Sequence, residues 1–137
     1  LHPRAAVYPQ HFETALLTPP RYTTPQRGRP TWLSDYPFSL IISNPPYGKF
    51  VGKYSAYFTA PKLAQFDTFF LYHGLRLLKP GGLLLFITAT NLMRSGGRYQ
   101  KDKLLLQQHA DLIDAYRLPP VFAHTDIATD LLLFQKK

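Results

Sequence analysis

Apolar positions along the chain change period several times, and each change marks an element. Phe38 to Ile42 is a short, mostly apolar run bounded by Pro37 and Pro45-Pro46, which predicts a buried strand over Phe38 to Ser43 that stops abruptly. Leu63, Phe66, Phe70, Gly74, Leu77 and Leu78 then recur at spacings of three and four, predicting a helix from Lys62 to Leu78. Pro61 suits the start of that helix and Lys79 complements its carboxyl end, after which Pro80-Gly81-Gly82 turns the chain. Leu83 to Thr88 is continuously apolar, as expected of a strand buried on both faces. A loop from Ala89 to Gly97 leads to a second helix, Arg98 to His109, with Leu104, Leu105 and Leu106 inward. Two further strands follow at Leu112 to Arg117 and Thr129 to Gln135. Upstream the pattern is weak. Ala5 to Tyr8 reads as the tail of a strand and Phe12-Glu13 as a turn after it. Thr18 to Pro37 is a surface loop, because its prolines exclude regular helix over most of its length.

The order strand–helix–strand–helix–strand–strand calls for an α/β fold, mostly parallel, with a final antiparallel strand. Right-handed crossovers put both helices on one face of such a sheet. The other face would then be bare, although its strands are apolar. Something else must cover it.

The stop after the first strand carries the chemistry. In Ser43-Asn44-Pro45-Pro46-Tyr47-Gly48 two prolines fix φ and push the residues before them into extended backbone, so the stretch forms a stiff elbow. At the carboxyl end of a strand, an elbow lies where open α/β sheets bind ligands. An amide oxygen on Asn44 and the carbonyl of Pro45 can each accept one N–H of an exocyclic amino group. Holding both hydrogens favours a pyramidal nitrogen with its lone pair free to attack an electrophilic methyl group. Tyr47 offers a face for the base to stack on, worth ~1–3 kcal/mol. The competing reading is a proline-rich turn in which Asn44 bonds only locally.

Composition narrows the partners. With 137 residues and 45% apolar content the chain is one globular domain or part of a larger one. No run approaches the ~20 apolar residues of a membrane span. There is no apolar signal region behind Leu1-His2-Pro3-Arg4, and there are no cysteines. The five histidines have no ligand spacing, so no metal is expected. Met93 is the only methionine, so the chain reads as a piece of a longer protein. A net charge of +8 points to a polyanion. The cations gather in three groups: Arg21, Arg27 and Arg29; Lys49 and Lys53; and Arg94, Arg98, Lys101 and Lys103. The arginines are the expected phosphate contacts. Gly48 to Ala60 interleaves Phe50, Tyr54, Tyr57 and Phe58 with lysines, which fits either a lid over a nucleic-acid strand or packing on the next helix.

From Phe38 to Lys137 the chain resembles the C-terminal half of the catalytic domain of adenine-specific DNA methyltransferases, which use S-adenosylmethionine. The matching residues are Ile42 to Gly48, Leu77-Leu78-Lys79-Pro80-Gly81-Gly82 with the strand after it, Leu118-Pro119-Pro120-Val121-Phe122, and Thr129 to Lys136. The resemblance implies a partial Rossmann-like class I methyltransferase sheet. Asn44, Pro45 and Tyr47 would be catalytic, with Asn44 also touching the cofactor, and Phe122 would stack on the flipped adenine opposite Tyr47. No Gly-x-Gly turn for the cofactor occurs, and Glu13 is the first acidic residue, matching at best a contact near the cofactor's adenine ring. Residues 1–37 are then the remnant of an upstream half-domain and 38–137 the amino-methylating half. The expected partners are DNA and that missing N-terminal half, with self-association of the piece alone, in the cytoplasm of a bacterium or a phage host. Two alternatives stay open: a methyltransferase of release-factor glutamine or ribosomal guanine, and an inactive module that binds nucleic acid or a partner subunit.

Overall fold

A computed structural model describes residues 7, 9, 11–17, 37–89, 92–94, 96–120 and 127–137. The elements are helix α1 (Phe12–Leu17), strand β1 (Phe38–Ser43), helix α2 (Phe66–Leu77), strand β2 (Leu78–Ala89), helix α3 (Gln100–His109), and strands β3 (Ala110–Arg117) and β4 (Thr129–Lys136). Single 3-10 turns occupy Ser55–Tyr57 and Gly97–Tyr99. Phe12-Glu13 is therefore the start of a helix, not a turn. The stretch Ala5 to Tyr8 and the proline-rich loop lie largely outside the described residues.

The four strands form one sheet in the order β1-β2-β4-β3. β1 pairs parallel with β2, while β4 pairs antiparallel with both β2 and β3. The last strand is indeed the antiparallel one, and β3 runs in the same sense as β1 and β2. Yet only one of the three pairings is parallel, because β4 inserts between β2 and β3 instead of adding at the edge.

Two boundaries and one burial pattern differ from expectation for identifiable reasons. α2 starts at Phe66, not Lys62, because the residues before it pair with the stretch after β1. The Phe50 amide donates to the Ala64 carbonyl at 2.8 Å and the Phe66 amide to the Gly48 carbonyl at 2.9 Å. Lys79 to Gly82 does not separate helix from strand; it is a bulge within β2. Phe38 pairs with Leu78 and Leu40 with Leu83, so the β2 side carries the extra residues. Gly81 takes φ 77° in that bulge. At Gly82 a Cβ would lie 2.9 Å from the Lys79 carbonyl oxygen and 3.1 Å from that of Ser39, so the two backbones approach as only glycine allows. In α3, only Leu106 is buried, and Leu104 is 52% exposed. Successive helix residues point about 100° apart, so three in a row cannot all face inward.

The core lies between the sheet and the helices. Phe69, Leu71 and Leu75 of α2 meet Leu84 and Phe86 of β2 and Leu132 of β4, all fully buried. Each such side chain contributes ~1.5–3 kcal/mol by leaving water. α2 is buried more widely than its predicted stripe, since Phe70 stacks on Phe12 of α1 at 4.7 Å and Tyr72 meets His109 of α3 edge-on at 5.3 Å. β2 is not buried on both faces. Leu84, Phe86 and Thr88 face the helices, whereas Leu83 is 37% exposed and Leu85 and Ile87 are half-buried. Leu40 and Ile42, which pair with Leu83 and Leu85, are 54% and 70% exposed. The expected bare face is present: among the described residues no helix lies over it.

Candidate active site at the carboxyl end of strand β1

β1 ends at Ser43, paired with Phe86, and the elbow leaves the sheet there. Asn44 and Pro46 are exposed, Pro45 is buried and Tyr47 is half-buried. The buried proline anchors the elbow while the amide is presented outward. The Tyr47 hydroxyl donates to Asn44 Oδ1 at 3.2 Å, which fixes the amide's orientation and leaves the oxygen a second lone pair. Burial, and after it the charge of Asp67, pushes the Tyr47 phenol above its ordinary value of 10.0. It therefore stays protonated, and remains a donor, across the physiological range. Gly48 turns the chain at φ 110°, with open space around its missing Cβ, so backbone conformation alone demands glycine. Beyond it the two rungs to Ala64 and Phe66 tie the elbow to the start of α2. The elbow is thus held at both ends, by the sheet and by the helix.

Beneath it lies a buried carboxylate that sequence reasoning passed over. Asp67, in the first turn of α2, is 4% exposed and accepts from the Thr68 amide at 2.8 Å and the Thr88 hydroxyl at 3.0 Å. It couples the helix start to the carboxyl end of β2. The signal in the sequence was an acid opening an otherwise aromatic helix, where it complements the helix dipole. Asp102 of α3 is close enough to feel it: burial raises the Asp102 carboxyl, a Thr68 hydrogen bond opposes this, and the Asp67 charge adds to the rise. A second buried carboxylate, Asp130, pairs with Arg117 through one oxygen, while the other has no partner. With the Leu118 amide donating to the Thr129 carbonyl at 3.0 Å, this pair closes the base of the loop that carries Phe122.

The expected site residues fare differently. Asn44, Pro45 and Tyr47 form one rigid unit. Glu13 stands half-buried in α1, whose Phe12 lines a groove along β1 with Ile41 and Phe70. Arg94 is exposed and its carbonyl accepts from the Lys103 ammonium. Arg98 lies in the turn before α3. Arg21, Arg27, Arg29 and Phe122 lie outside the described residues. The aromatic stretch after the motif divides: Phe50 stacks on Phe69 at 4.1 Å and Phe58 meets it edge-on at 4.7 Å, whereas Tyr57 is 69% exposed. Among the described residues no helix is long and apolar enough to cross a membrane.

Comparison with known proteins decides the family. Residues 14–122 match the Eco57I restriction-modification methylase family. The chain belongs to that family. Of the solved structures it resembles, a protein described as a class I S-adenosylmethionine-dependent methyltransferase from Listeria monocytogenes aligns at TM-score 0.64 and 19% identity, over 74% of this chain and 32% of that one. A modification subunit of a type I restriction enzyme from Vibrio vulnificus YJ016 aligns at TM-score 0.61 and 28% identity, over 72% and 22%. A chain of a type I restriction-modification assembly gives TM-score 0.61 and 24% identity, over 72% and 21%. The sheet is accordingly of the Rossmann-like class I methyltransferase type. The Eco57I-family chain spans between a fifth and a third of the length of these structures. No curated protein matches it.

Proposed function

We propose that this chain supplies the acceptor side of a site that transfers a methyl group from S-adenosylmethionine to the exocyclic amino group of adenine in DNA. The observation that carries the reading is the elbow at the end of β1, with the Asn44 amide oxygen exposed and oriented by the Tyr47 hydroxyl. In this reading Asn44 Oδ1 and the Pro45 carbonyl each accept one amino hydrogen, which frees the nitrogen lone pair. Such preorganised acceptors need no reorganisation as charge develops. Tyr47 stacks on one face of the extruded base and Phe122 on the other. Arg21, Arg27, Arg29, Arg94 and Arg98 hold phosphates.

The methyl donor fits this chain poorly. Its sequence contains no Gly-x-Gly turn, and Glu13 is set in a short helix beside the outer edge of β1. Residues 38–137 are then the amino-group half, residues 1–37 lead in from another half, and that half holds the cofactor. The test is product analysis on a protein that joins this chain to its cofactor-binding half, incubated with labelled S-adenosylmethionine and, in parallel, duplex DNA, a release factor and ribosomal RNA. Label recovered as N6-methyladenine is expected. Label recovered only in protein glutamine or ribosomal RNA would overturn the choice of substrate.

A further inference from the structure

The hairpin that follows the motif encloses a cavity the proposed reaction does not use. Its two sides, Gly48 to Phe50 and Ala64 to Phe66, are joined by backbone hydrogen bonds and a bridge between Lys49 and Gln65. Between them opens a cavity of about 590 Å³, whose lining includes Lys49, Phe58, Ser55, Thr59 and Lys62. That volume falls within the ~300–1,000 Å³ range of small-molecule sites. Phe50 and Phe58 form an apolar floor because both are drawn onto Phe69. The rim is polar and cationic. From Gly48 to Gln65 the sequence carries Lys49, Lys53 and Lys62 and no acidic residue at all. The first acid beyond it, Asp67, is buried and already bonded to Thr68 and Thr88, and among the described residues the ion pairs lie elsewhere, at Arg117–Asp130 and Lys137–Asp111. These ammonium groups are therefore not neutralised within the described fold.

An apolar floor with a cationic rim matches a nucleotide, whose base presents a flat apolar face and whose phosphate is an anion. Position selects which nucleotide. The cavity begins at Lys49, one residue past the motif glycine, so it adjoins the place where a base on Tyr47 would sit. We propose that this hairpin is a subsite for a nucleotide flanking the methylated base on the same strand. Lys49 and Lys62 meet its phosphate, and its base or sugar lies on the floor. This rests on the reading of the motif given above, and can fail separately from it.

The test is fluorescence anisotropy of the chain with a labelled single-stranded oligodeoxynucleotide of ~10 nucleotides, titrated at several salt concentrations. Lys49→Gln with Lys62→Gln should weaken binding and lower the slope of log affinity against log salt by ~0.7 per lost contact. Lys49→Arg with Lys62→Arg should restore both. Ala56→Trp, which fills the cavity from an exposed position without changing charge, should weaken binding and leave the slope alone. The proposal is overturned if the chain does not bind the oligonucleotide, if the slope is unmoved in the glutamine variant, or if an acidic peptide of equal charge binds as tightly. Methyl transfer by wild type and Asn44→Ala in the protein that joins this chain to its cofactor-binding half, measured beside it, keeps the two claims apart. Its loss in Asn44→Ala with an unmoved slope removes the subsite and leaves the reaction; retained transfer with a reduced slope removes the reaction and leaves a strand-binding hairpin.

Discussion

The two roles proposed for Tyr47, orienting Asn44 and stacking on the base, can be separated by substitution. Tyr47→Phe removes the bond to Asn44 Oδ1 but keeps the ring, and a hydrogen bond of this kind is worth ~1 kcal/mol. Tyr47→Ala removes the ring as well and should cost a further ~1–3 kcal/mol of base retention. A fluorescent adenine analogue at the target position reports this, and equal signals for the two variants would show that the ring does not stack. His73 makes a prediction about pH. Burial, with the charge of Arg76 adding to it, lowers its pKa to about 4 from 6.5. The unfolded chain then binds more protons between those values, so stability present above pH 6.5 is lost as pH falls toward 4. His73→Phe, in a pocket formed by Phe58, Phe69 and Tyr72, should flatten that part of the profile relative to wild type, read as urea midpoints at pH 7 and 4.5. The elbow was legible from the sequence because its geometry is local: two prolines and their neighbours set it by themselves. Asp67 was not, because its bond to Thr88 spans two elements that only the fold brings together.

Among the elements, β2 shows where local signals mislead. Pro80-Gly81-Gly82 carries every mark of a turn that ends a helix, but the helix has already ended at Leu77. Pairing with β1 nevertheless continues on both sides of it, so the turn becomes a bulge inside the strand. Gly82→Ala should force β1 and β2 apart, since the added carbon would press on two backbone oxygens that cannot swing away. Overpacking of this kind costs ~1–3 kcal/mol. The urea midpoint should fall accordingly, and an unchanged midpoint would show that the two backbones can separate freely. The helix α2 was legible in its existence and type, from its spacing of aromatic and aliphatic residues. Its start was not, because the Ala64 carbonyl and the Phe66 amide bond across the hairpin, to Phe50 and Gly48.

For the whole molecule, strand direction followed from the sequence, but strand order did not. Nothing local to Thr129 to Lys136 says that it slips between β2 and β3; that depends on pairings with strands elsewhere in the sequence. The bare face was legible by counting crossovers, and Leu40, Ile42 and Leu83 now show it exposed. Apolar faces and open strand edges both invite association. The chain alone should therefore self-associate on a sizing column. It should also transfer no methyl group, because donor and acceptor are not held together. A clean monomer with micromolar affinity for S-adenosylmethionine by titration calorimetry would refute that division of labour. The central claim is narrower: the Asn44 amide at the end of β1 prepares the amino group for attack. Its most direct test is single-turnover methyl transfer by the protein that joins both halves, with S-adenosylmethionine saturating, comparing wild type with Asn44→Ala. The rate should fall by ~10²–10³ with cofactor affinity retained. An unchanged rate would contradict it.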